Sequence, residues 1–536
     1  MSARDFDVPA STAGLGSPIF QPRSGSSAIG DNGSRVLRAI GVFLLTLTGT
    51  AHSALKTDPF TYDPAFNGGV VIEDRFAATS LNTSDLGLRA VLGAGGDIVT
   101  SGIVGPAFTA ASPPGNLGLV RYGIAGERLS WGNPSPQFSY FNNNYVDYPN
   151  ILGAAVGWVR DMKLFNGYLY VLVDLNLGTG TRDVRVFTFT DGDGAYVADT
   201  PAFTSGLDEV GAGLVPYCHH ELSVGGVPLL QCNLIAVATY ATPGGRNIVT
   251  MKSWSIGSND GLLSINNTFG VSNNGAMDQQ APDALCTDHA GCSWSVNAAT
   301  AVRTADNRNP TLYLAGTMKT SAAESDSLVI AVNGLDGSLA SSFGGGTGYY
   351  VNYETNSSGA AAIVATTSGD ATTDVIYLAT NTSDGCGQKS VVTKLLGSTV
   401  FPGGTLPDFN WGVGGNRDVG GNPGSCGNAY TYTEDMILDG DRLVIAGYEN
   451  LTTYPDPLFA VVRASDGALT EFARAGFTAL HANGSPWGGA AFRSVVARGG
   501  GRYAVTGYLY DAAANYATLF GTASLVSDRI FGNDFE

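Results

Sequence analysis

The run LYLAG at 312–316 carries the pattern that decides the fold, because close variants of it recur along the chain. Successive copies begin between 60 and 78 residues apart. Each copy is a short run of the aliphatic and aromatic residues that favour β-strands. The other copies are IVTSG at 98–102, LYVLV at 169–173, LIAVA at 234–238, IYLAT at 376–380, LVIAG at 443–447 and YAVTG at 503–507. The repetition predicts seven copies of one β-structured unit.

Each repeated run has apolar neighbours, and turn residues separate it from them. Turns rich in Gly, Asp and Asn precede it, as in FNGY at 165–168, and Asp-Gly turns follow the next apolar run, as in LDGSL at 335–339. Asp-Gly between apolar runs predicts β-hairpins, and no segment has a sustained helical period. Units of three or four antiparallel strands predict an all-β fold, a β-propeller with seven blades, because ring closure removes exposed sheet edges. The alternative is a parallel β-helix, whose coils are usually shorter and lack such hairpins.

Composition and charge exclude several classes of protein. Charged residues make up 14% of the chain, which is too few for a disordered or coiled-coil protein. Glycine accounts for 73 of the 536 residues, as tight turns between strands require. The net charge is −18, so the composition gives no indication of nucleic acid as a partner.

Residues 36–54, VLRAIGVFLLTLTGTAHSA, have the order of a secretory signal: a basic region, an apolar run and a cleavage site of small residues. The alternative is a membrane anchor, but the apolar run at 39–47 is shorter than the roughly 20 residues of a span. We therefore expect cleavage after Ser53, so that 1–53 is a polar leader plus signal peptide. The expected mature chain, 54–536, is a single propeller whose N-terminal strand closes the ring. We expect it to be secreted to the periplasm, cell surface or medium, with no transmembrane segment.

All six cysteines lie in this expected mature chain, and none forms a C-x-x-C pair. An even number of cysteines in an exported chain predicts three disulfides. Pairing between sequence neighbours is one of fifteen arrangements. It would join Cys218 to Cys232, Cys286 to Cys292 and Cys386 to Cys426. A zinc site is the alternative, but only His219 and His220 lie beside a cysteine.

Several segments resemble the delta-60 repeat family. LDGSLASSFGGGTG at 335–348 is similar to the end of such a repeat, where an Asp-Gly turn leads to a Leu-Asp-x-Ser-Phe-Gly-x-Gly-Gly segment. Further similar segments are YDPAFNGGVV at 62–71, LPDFNWGVGG at 406–415 and, more weakly, LSWGN at 129–133 and LSINNTFG at 263–270. Ala340 stands where the family has Asp, and the unit around Leu234 carries a cysteine-bearing insert. The resemblance implies a secreted or surface repeat protein with propeller-like blades, and it supplies no catalytic residues.

Two acidic pairs are candidate sites. Asp161 and Asp435 each stand eight residues before a repeated run, so we expect them at equivalent places on channel-lining strands. Such acids can act as general acid and base, or hold a cation. The alternative is that each caps a strand end or pairs with an arginine, which the separation of units two and six favours.

Asp191 and Asp193, in TDGDG at 190–194, have the alternate spacing of a calcium loop. A third acid and a closing glutamate are missing, so turn formation is the alternative for this pair. We expect no cofactor, and calcium at this pair is the one alternative that the sequence leaves open.

The loop at 134–150 is a candidate ligand site because aromatic residues alternate there with asparagines. The aromatic residues are Phe138, Tyr140, Phe141, Tyr145 and Tyr148. Aromatic faces stack on sugar rings and amides bond hydroxyl groups, so an exposed loop of this kind suits a glycan or a peptide. The alternative is that these side chains fill the space between two blades.

The sequence contains no G-x-S-x-G, H-E-x-x-H, S-x-x-K or P-loop motif. We therefore expect a binding or scaffold protein that recognises a glycan or protein ligand through loops at one face. The first alternative is an extracellular enzyme on the same fold, such as a glycoside hydrolase, a polysaccharide lyase or a quinoprotein dehydrogenase. The second is a purely structural surface protein. Converging acids would indicate an enzyme, and exposed aromatic side chains would indicate a binding module.

Overall fold

The computed structural model describes residues within the unit Lys56–Glu536. They are 60–69, 71–74, 83–106, 115–131, 145–148, 155–176, 181–201, 203, 206–222, 228–271, 274–282, 292–302, 310–319, 324–352, 357–367, 374–383, 387–397, 406–420, 430–450, 455–473, 489–511 and 516–527. Every regular element in them is a β-strand or a short 3-10 turn. No helix in this part of the chain could cross a membrane. The leader and signal peptide predicted at 1–53 lie outside it.

The strands follow one another in antiparallel groups, here called units 1 to 7. Unit 1 contains β3 (Thr83–Leu92), β4 (Ile98–Pro106), β5 (Asn116–Tyr122) and β6 (Tyr145–Tyr148). Unit 2 contains β7 (Ala155–Phe165), β8 (Tyr168–Asn176), β9 (Arg182–Thr190) and β10 (Tyr196–Asp199). Unit 3 contains β11 (Glu209–Leu222), β12 (Pro228–Ala241), β13 (Asn247–Ile256), β14 (Leu263–Ile265) and β15 (Ala276–Gln280). Unit 4 contains β16 (Ser293–Val302), β17 (Thr311–Lys319), β18 (Ser325–Asn333) and β19 (Tyr349–Asn352).

The remaining units complete the chain and include its first described strands. Unit 5 contains β20 (Ser358–Thr367), β21 (Asp374–Ser383), β22 (Gln388–Gly397), β23 (Leu406–Pro407) and β24 (Asn416–Val419). Unit 6 contains β25 (Tyr430–Asp439), β26 (Arg442–Asn450), β27 (Asp456–Arg463) and β28 (Leu469–Ala473). Unit 7 contains β29 (Gly489–Gly499), β30 (Arg502–Asp511) and β31 (Tyr516–Ser527), with β1 (Phe60–Tyr62) and β2 (Ile72–Asp74) paired to β31.

The repeated apolar run is the second strand of every unit, from β4 to β30. In β8, all residues from 169 to 175 are buried, because neighbouring units cover both faces of the strand. A strand buried on both faces is apolar throughout rather than alternating, and this made the repeat visible in the sequence. The all-β class and the propeller arrangement are confirmed, and the antiparallel pairing excludes the β-helix alternative.

The expected count of seven separate blades is not reproduced, because the described strands form six hydrogen-bonded sheets. Units 5 and 6 share one nine-stranded sheet. A single parallel residue pair, Gln388 with Tyr430, joins β22 of unit 5 to β25 of unit 6. The units repeat as antiparallel groups, but the hydrogen bonds do not separate every one of them.

Contacts between consecutive units close a ring. The first strands of neighbouring units contact each other in series, and β29 of unit 7 contacts β3 of unit 1. The core is divided into clusters that each lie between two consecutive units. The cluster that contains Ile98 of unit 1 and Ala504 of unit 7 joins the last unit to the first. The first strands therefore surround a central channel.

An aromatic turn interrupts the outer strand in several units and fills the space beside the next unit. Phe343 of unit 4 is 2% exposed and packs in the cluster shared with unit 5. Its backbone N–H donates to Ala340 O, and Gly346 N–H donates to Phe343 O. Phe66 in unit 7 makes both of these backbone bonds. Phe269 in unit 3 and Trp411 in unit 5 donate their N–H to the carbonyl oxygen three residues before them, as Phe343 does. These residues lie in the segments that resemble delta-60 repeats.

The residue three positions before each aromatic forms the start of this turn. The carboxylate of Asp63 accepts a hydrogen bond from Ala65 N–H, and that of Asp408 accepts one from Asn410 N–H. The side chain of Asn266 does the same for Thr268 N–H. An Asx side chain therefore holds the turn before the aromatic enters the core. Ala340 has no polar side chain for this bond, yet the turn of unit 4 keeps its backbone geometry.

One predicted disulfide is confirmed. Cys218 and Cys232 are directly opposite each other on β11 and β12, and their sulfurs are bonded. Cys292 is also disulfide-bonded. Its partner is one of Cys286, Cys386 and Cys426, which lie outside the described residues, so the other two predicted pairings stay predictions.

Candidate functional site

Asp161 and Asp435 occupy equivalent places, but they join units rather than form a shared site. Each follows a β-bulge in the first strand of its unit. The carboxylate of Asp161 accepts a 2.8 Å bond from Leu214 N–H of unit 3 and pairs with Lys163. That of Asp435 accepts bonds from Val495 N–H and the Ser494 hydroxyl of unit 7. Among the described residues, no hydrogen bond or ion pair connects the two carboxylates.

Asp191 and Asp193 belong to a turn. Asp193 accepts hydrogen bonds from Thr190 and from Ala195 N–H, which close the Asp-Gly hairpin. Asp191 is 5% exposed and pairs with Arg121. Within the described ranges, no three His, Cys, Asp or Glu side chains are grouped as metal ligands would be. The contacts of Asp193 are those of turn formation, the alternative that the sequence left open. The Asp191 carboxylate instead contacts unit 1, where it also accepts a hydrogen bond from Ala94 N–H.

The predicted aromatic loop is only partly described. Tyr145 and Tyr148 belong to β6, which pairs with β5 of unit 1. Phe138, Tyr140 and Phe141 lie outside the described residues. The prediction that this loop binds a ligand therefore stays a prediction.

A cluster of aromatic and charged side chains lies at one mouth of the channel. This mouth, here called the upper mouth, is the end at which the first strands begin and the second strands end. The guanidinium of Arg493 lies over three aromatic rings, 5.7 Å from the ring centre of Trp158, 5.7 Å from that of Tyr448 and 5.2 Å from that of Tyr508. The rings come from units 2, 6 and 7, so only ring closure brings them together. We call these four residues, with Tyr432 and Glu434, the channel cluster.

Glu434 and the rings keep Arg493 charged in a largely buried place. Its Nη1 lies 2.6 Å from Oε1 of Glu434. Burial is the largest single influence and lowers the pKa of Arg493, but the charge of Glu434, the Tyr508 and Tyr448 hydroxyls and the hydrogen bond to Glu434 together raise that pKa overall. The cation then attracts the electron-rich faces of the surrounding rings. Burial, together with the charge of Glu434, raises the pKa of the Tyr448 hydroxyl, so Tyr448 stays neutral.

The aromatic faces of the cluster remain partly open. Trp158, Tyr432, Tyr448 and Tyr508 are all half-buried rather than buried. The rings of Tyr432 and Tyr448 stack with their centres 4.7 Å apart. A cation and stacking already hold these half-buried rings in place. A ligand that binds to their flat apolar surface therefore causes little further loss of side-chain conformational entropy. Such a surface suits a sugar ring or another flat ligand.

β-bulges direct the charged residues of the cluster. A bulge adds one residue to a strand and redirects its side chain, and such features are common next to functional sites. Glu434 and Arg493 are the extra residues of the bulges in β25 and β29, and Arg160 is that of a bulge in β7. Arg160 forms two hydrogen-bond contacts with Asp174, which is fully buried. Its guanidinium also lies 5.9 Å from the ring of Trp158.

Sequence reasoning missed this cluster, although a signal for it exists. Arg89, Arg160 and Glu434 each stand nine residues before a repeated run, next to the position used to identify Asp161 and Asp435. A search for charged residues at that spacing would have found three members of the channel wall. Tyr448 and Tyr508 each stand five residues after the start of a repeated run, at equivalent places on second strands, whereas Trp158 lies on a first strand and does not share that spacing.

Comparisons with known proteins give distant matches only. No family model and no curated protein matches the chain. Among solved structures, an alpha-L-arabinanase from Penicillium chrysogenum is 9% identical with a TM-score of 0.35, covering 68% of this chain and 91% of its own. An endo-arabinase from Bacteroides thetaiotaomicron is 11% identical with a TM-score of 0.28, covering 74% and 100%. A quinohemoprotein alcohol dehydrogenase from Comamonas testosteroni is 9% identical with a TM-score of 0.32, covering 83% and 77%.

Proposed function

We propose that the protein is an exported binding protein that recognises a glycan at the upper mouth of its channel. The observation that carries this proposal is the channel cluster, in which three partly open aromatic rings from three units surround one guanidinium. Carbohydrate sites combine aromatic faces with a few fixed polar groups, and the cluster contains both. A protein ligand is the other partner expected from the sequence.

Export and membership of the delta-60 family are part of the same proposal. The Cys218–Cys232 disulfide supports an oxidising compartment, where such bonds persist. The repeated aromatic turns that hold Phe66, Phe343 and Trp411 support a common origin of the units. Both fit a protein that meets its ligand outside the cytoplasm.

The proposal predicts that Trp158→Ala weakens glycan binding strongly. The full-length protein, expressed with export and purified with its disulfides intact, would be tested on an array of neutral and acidic oligosaccharides. Binding at an aromatic surface should lose more than about 1.4 kcal/mol, or tenfold in affinity, when its central ring is removed. Calorimetry on the best oligosaccharide then measures the loss for Trp158→Ala and Tyr508→Ala.

Phe409→Ala is the matched control, because Phe409 is an exposed aromatic residue (65%) in the outer-strand turn of unit 5. Its removal should leave the affinity unchanged. Binding that survives Trp158→Ala and Tyr508→Ala, but falls with Phe409→Ala, would contradict the proposed site. An array on which no oligosaccharide binds would contradict the proposed ligand class.

A further inference from the structure

Arg89 differs from the other two arginines of the channel wall in having no acidic partner. Its Nε donates a 2.6 Å hydrogen bond to Arg160 O of unit 2, and its Nη1 donates to Arg493 O of unit 7 at 2.8 Å and to Leu88 O. All three acceptors are neutral carbonyl groups. In the described part of the chain, no carboxylate lies within ion-pair distance of Arg89. Its Nη2 makes no hydrogen bond there.

The other charged side chains of these first strands have partners within the described residues. Arg493 pairs with Glu434, Arg160 pairs with Asp174, and Lys163 pairs with Asp161. Asp435 accepts its hydrogen bonds from Val495 N–H and the Ser494 hydroxyl. An unpaired charge that is partly withdrawn from water, as that of Arg89 is, is costly, and a counter-ion supplied from outside removes that cost.

The opposite side of the wall is small and uncharged. The bulges of units 3, 4 and 5 place Ala212, Asn297 and Ala361 at the register of Glu434, Arg493 and Arg160 in units 6, 7 and 2. Ala212 packs in the core between units 3 and 4. Asn297 is exposed, and its amide donates a hydrogen bond to Ala360 O. One half of the wall thus carries cations and aromatic rings, and the other half carries short side chains. A ligand that enters the mouth meets its charged and aromatic contacts on one side.

We propose that the upper mouth binds a carboxylated sugar, with Arg89 as the residue that receives the carboxylate. A guanidinium N–H forms a strong, charge-assisted hydrogen bond to a carboxylate, and Nη2 of Arg89, the nitrogen that the three carbonyl groups do not use, supplies that donor. The half-buried rings of Trp158, Tyr448 and Tyr508 then receive the flat face of the sugar. This inference rests on the proposed glycan site and adds the chemical class of its ligand.

The test compares uronic-acid oligosaccharides with their methyl esters on the unaltered full-length protein. Galacturonate, glucuronate and mannuronate oligosaccharides form the panel, and each methyl ester replaces the carboxylate by a neutral group with one added methyl. We expect at least one acid to bind about tenfold or more tightly than its ester. Arg89→Gln should reduce that ratio to near one and leave binding of the ester unchanged. Arg89→Lys, which keeps the charge, should restore part of the ratio.

Arg185→Gln is the matched control, because Arg185 pairs with Asp199 on the outer strands of unit 2, away from the mouth. It should leave the acid-to-ester ratio unchanged. If acid and ester bind with equal affinity and Trp158→Ala still abolishes binding, the proposal that Arg89 binds a sugar carboxylate is wrong, whereas the proposed glycan site stands. Preference for a free peptide carboxylate over every sugar would also overturn the proposal for Arg89. If Arg89→Gln does not fold, the ratio measured on the unaltered protein decides.

Discussion

In units 2, 6 and 7, the residue that follows the bulge of the first strand joins neighbouring units. In units 2 and 6 this residue is an aspartate whose carboxylate accepts backbone hydrogen bonds from the next unit. In unit 7 it is Ser494, whose hydroxyl contacts Asp435 and accepts a bond from Ala90 N–H of unit 1. The spacing of Asp161 and Asp435 made them candidate catalytic residues, but their carboxylates accept hydrogen bonds that connect neighbouring units of the ring.

Replacing Asp435 by alanine should destabilise the protein without removing a binding group. The change leaves Val495 N–H and the Ser494 hydroxyl without their acceptor, which costs about 1–3 kcal/mol for a buried donor. Urea denaturation followed by far-UV circular dichroism measures the free energy of unfolding. Asp418→Ala is the control, since Asp418 is 58% exposed in its side chain and should change stability by less than about 0.5 kcal/mol. Equal effects of both variants would contradict the joining role.

Asp456 should make the protein less stable as pH rises. It lies directly opposite Glu449 on the neighbouring strand. Burial first, and the charge of Glu449 second, raise the pKa of Asp456 above its usual value. A carboxyl group with a raised pKa stabilises the folded state at low pH, and this stability is lost as the group ionises. Asp456→Asn should therefore be more stable than the unaltered protein at pH 7, by about 0.2–1 kcal/mol for opposed like charges, and equal to it near pH 3.

Asp466→Asn provides a control of opposite sign. A hydrogen bond from Ala468 N–H lowers the pKa of Asp466, and its pairing with Arg463 acts in the same direction. This variant should be less stable than the unaltered protein at neutral pH, and the difference should disappear in acid. Urea titrations of both variants across the pH range measure the two trends. A gap for Asp456→Asn that widens as pH falls would refute this assignment.

The aromatic turn of the outer strand links units 3, 4, 5 and 7 to the units that follow them in the ring. Its strand is interrupted so that one large side chain enters the core between units, as Phe343 and Trp411 do. Glycines at positive φ, such as Gly467 of unit 6 at φ 72°, allow the turn of the next unit to approach the buried ring closely, here the ring of Trp411. A side chain at Gly467 would collide with the ring of Trp411 and the backbone of Gly412. The glycine content of the chain thus serves contact between units as well as turns.

Phe343→Ala should be among the most damaging single changes in the outer strands. Phe343 is 2% exposed, and removing a buried phenylalanine costs about 3–5 kcal/mol. Phe409→Ala removes the same side chain from an exposed place and should cost less than about 0.5 kcal/mol. Thermal unfolding of the two variants measures the difference. A small effect for Phe343→Ala would show that the aromatic turn does not join the units.

The elements differ in how well the sequence predicts them. The second strands were predictable because burial on both faces makes them apolar throughout, as at 169–175. The aromatic turns were predictable from their residue pattern, although their function in the core was not. The channel cluster was predictable only in part. Spacing from a repeated run marks Glu434, Tyr448 and Tyr508, whereas Trp158 shares no such spacing and a bulge directs Arg493. The shared sheet of units 5 and 6 depends on one residue pair, which no pattern specifies.

At the scale of the whole molecule, ring closure creates the site. Trp158 and Tyr508 belong to units at opposite ends of the sequence, and Arg89 donates hydrogen bonds to the units on both sides of its own. The strands β1 and β2 complete unit 7 by pairing with β31. Binding at the mouth and closure of the ring are therefore coupled, because the same side chains take part in both.

A crystal structure of the protein with the oligosaccharide that binds best on the array would show whether the channel cluster is the ligand site. We expect a sugar ring against Trp158 and Tyr508 at the upper mouth, with its carboxylate at Arg89. A sugar bound at the outer strands, or at the other end of the channel, would contradict the central claim that the channel cluster is the ligand site.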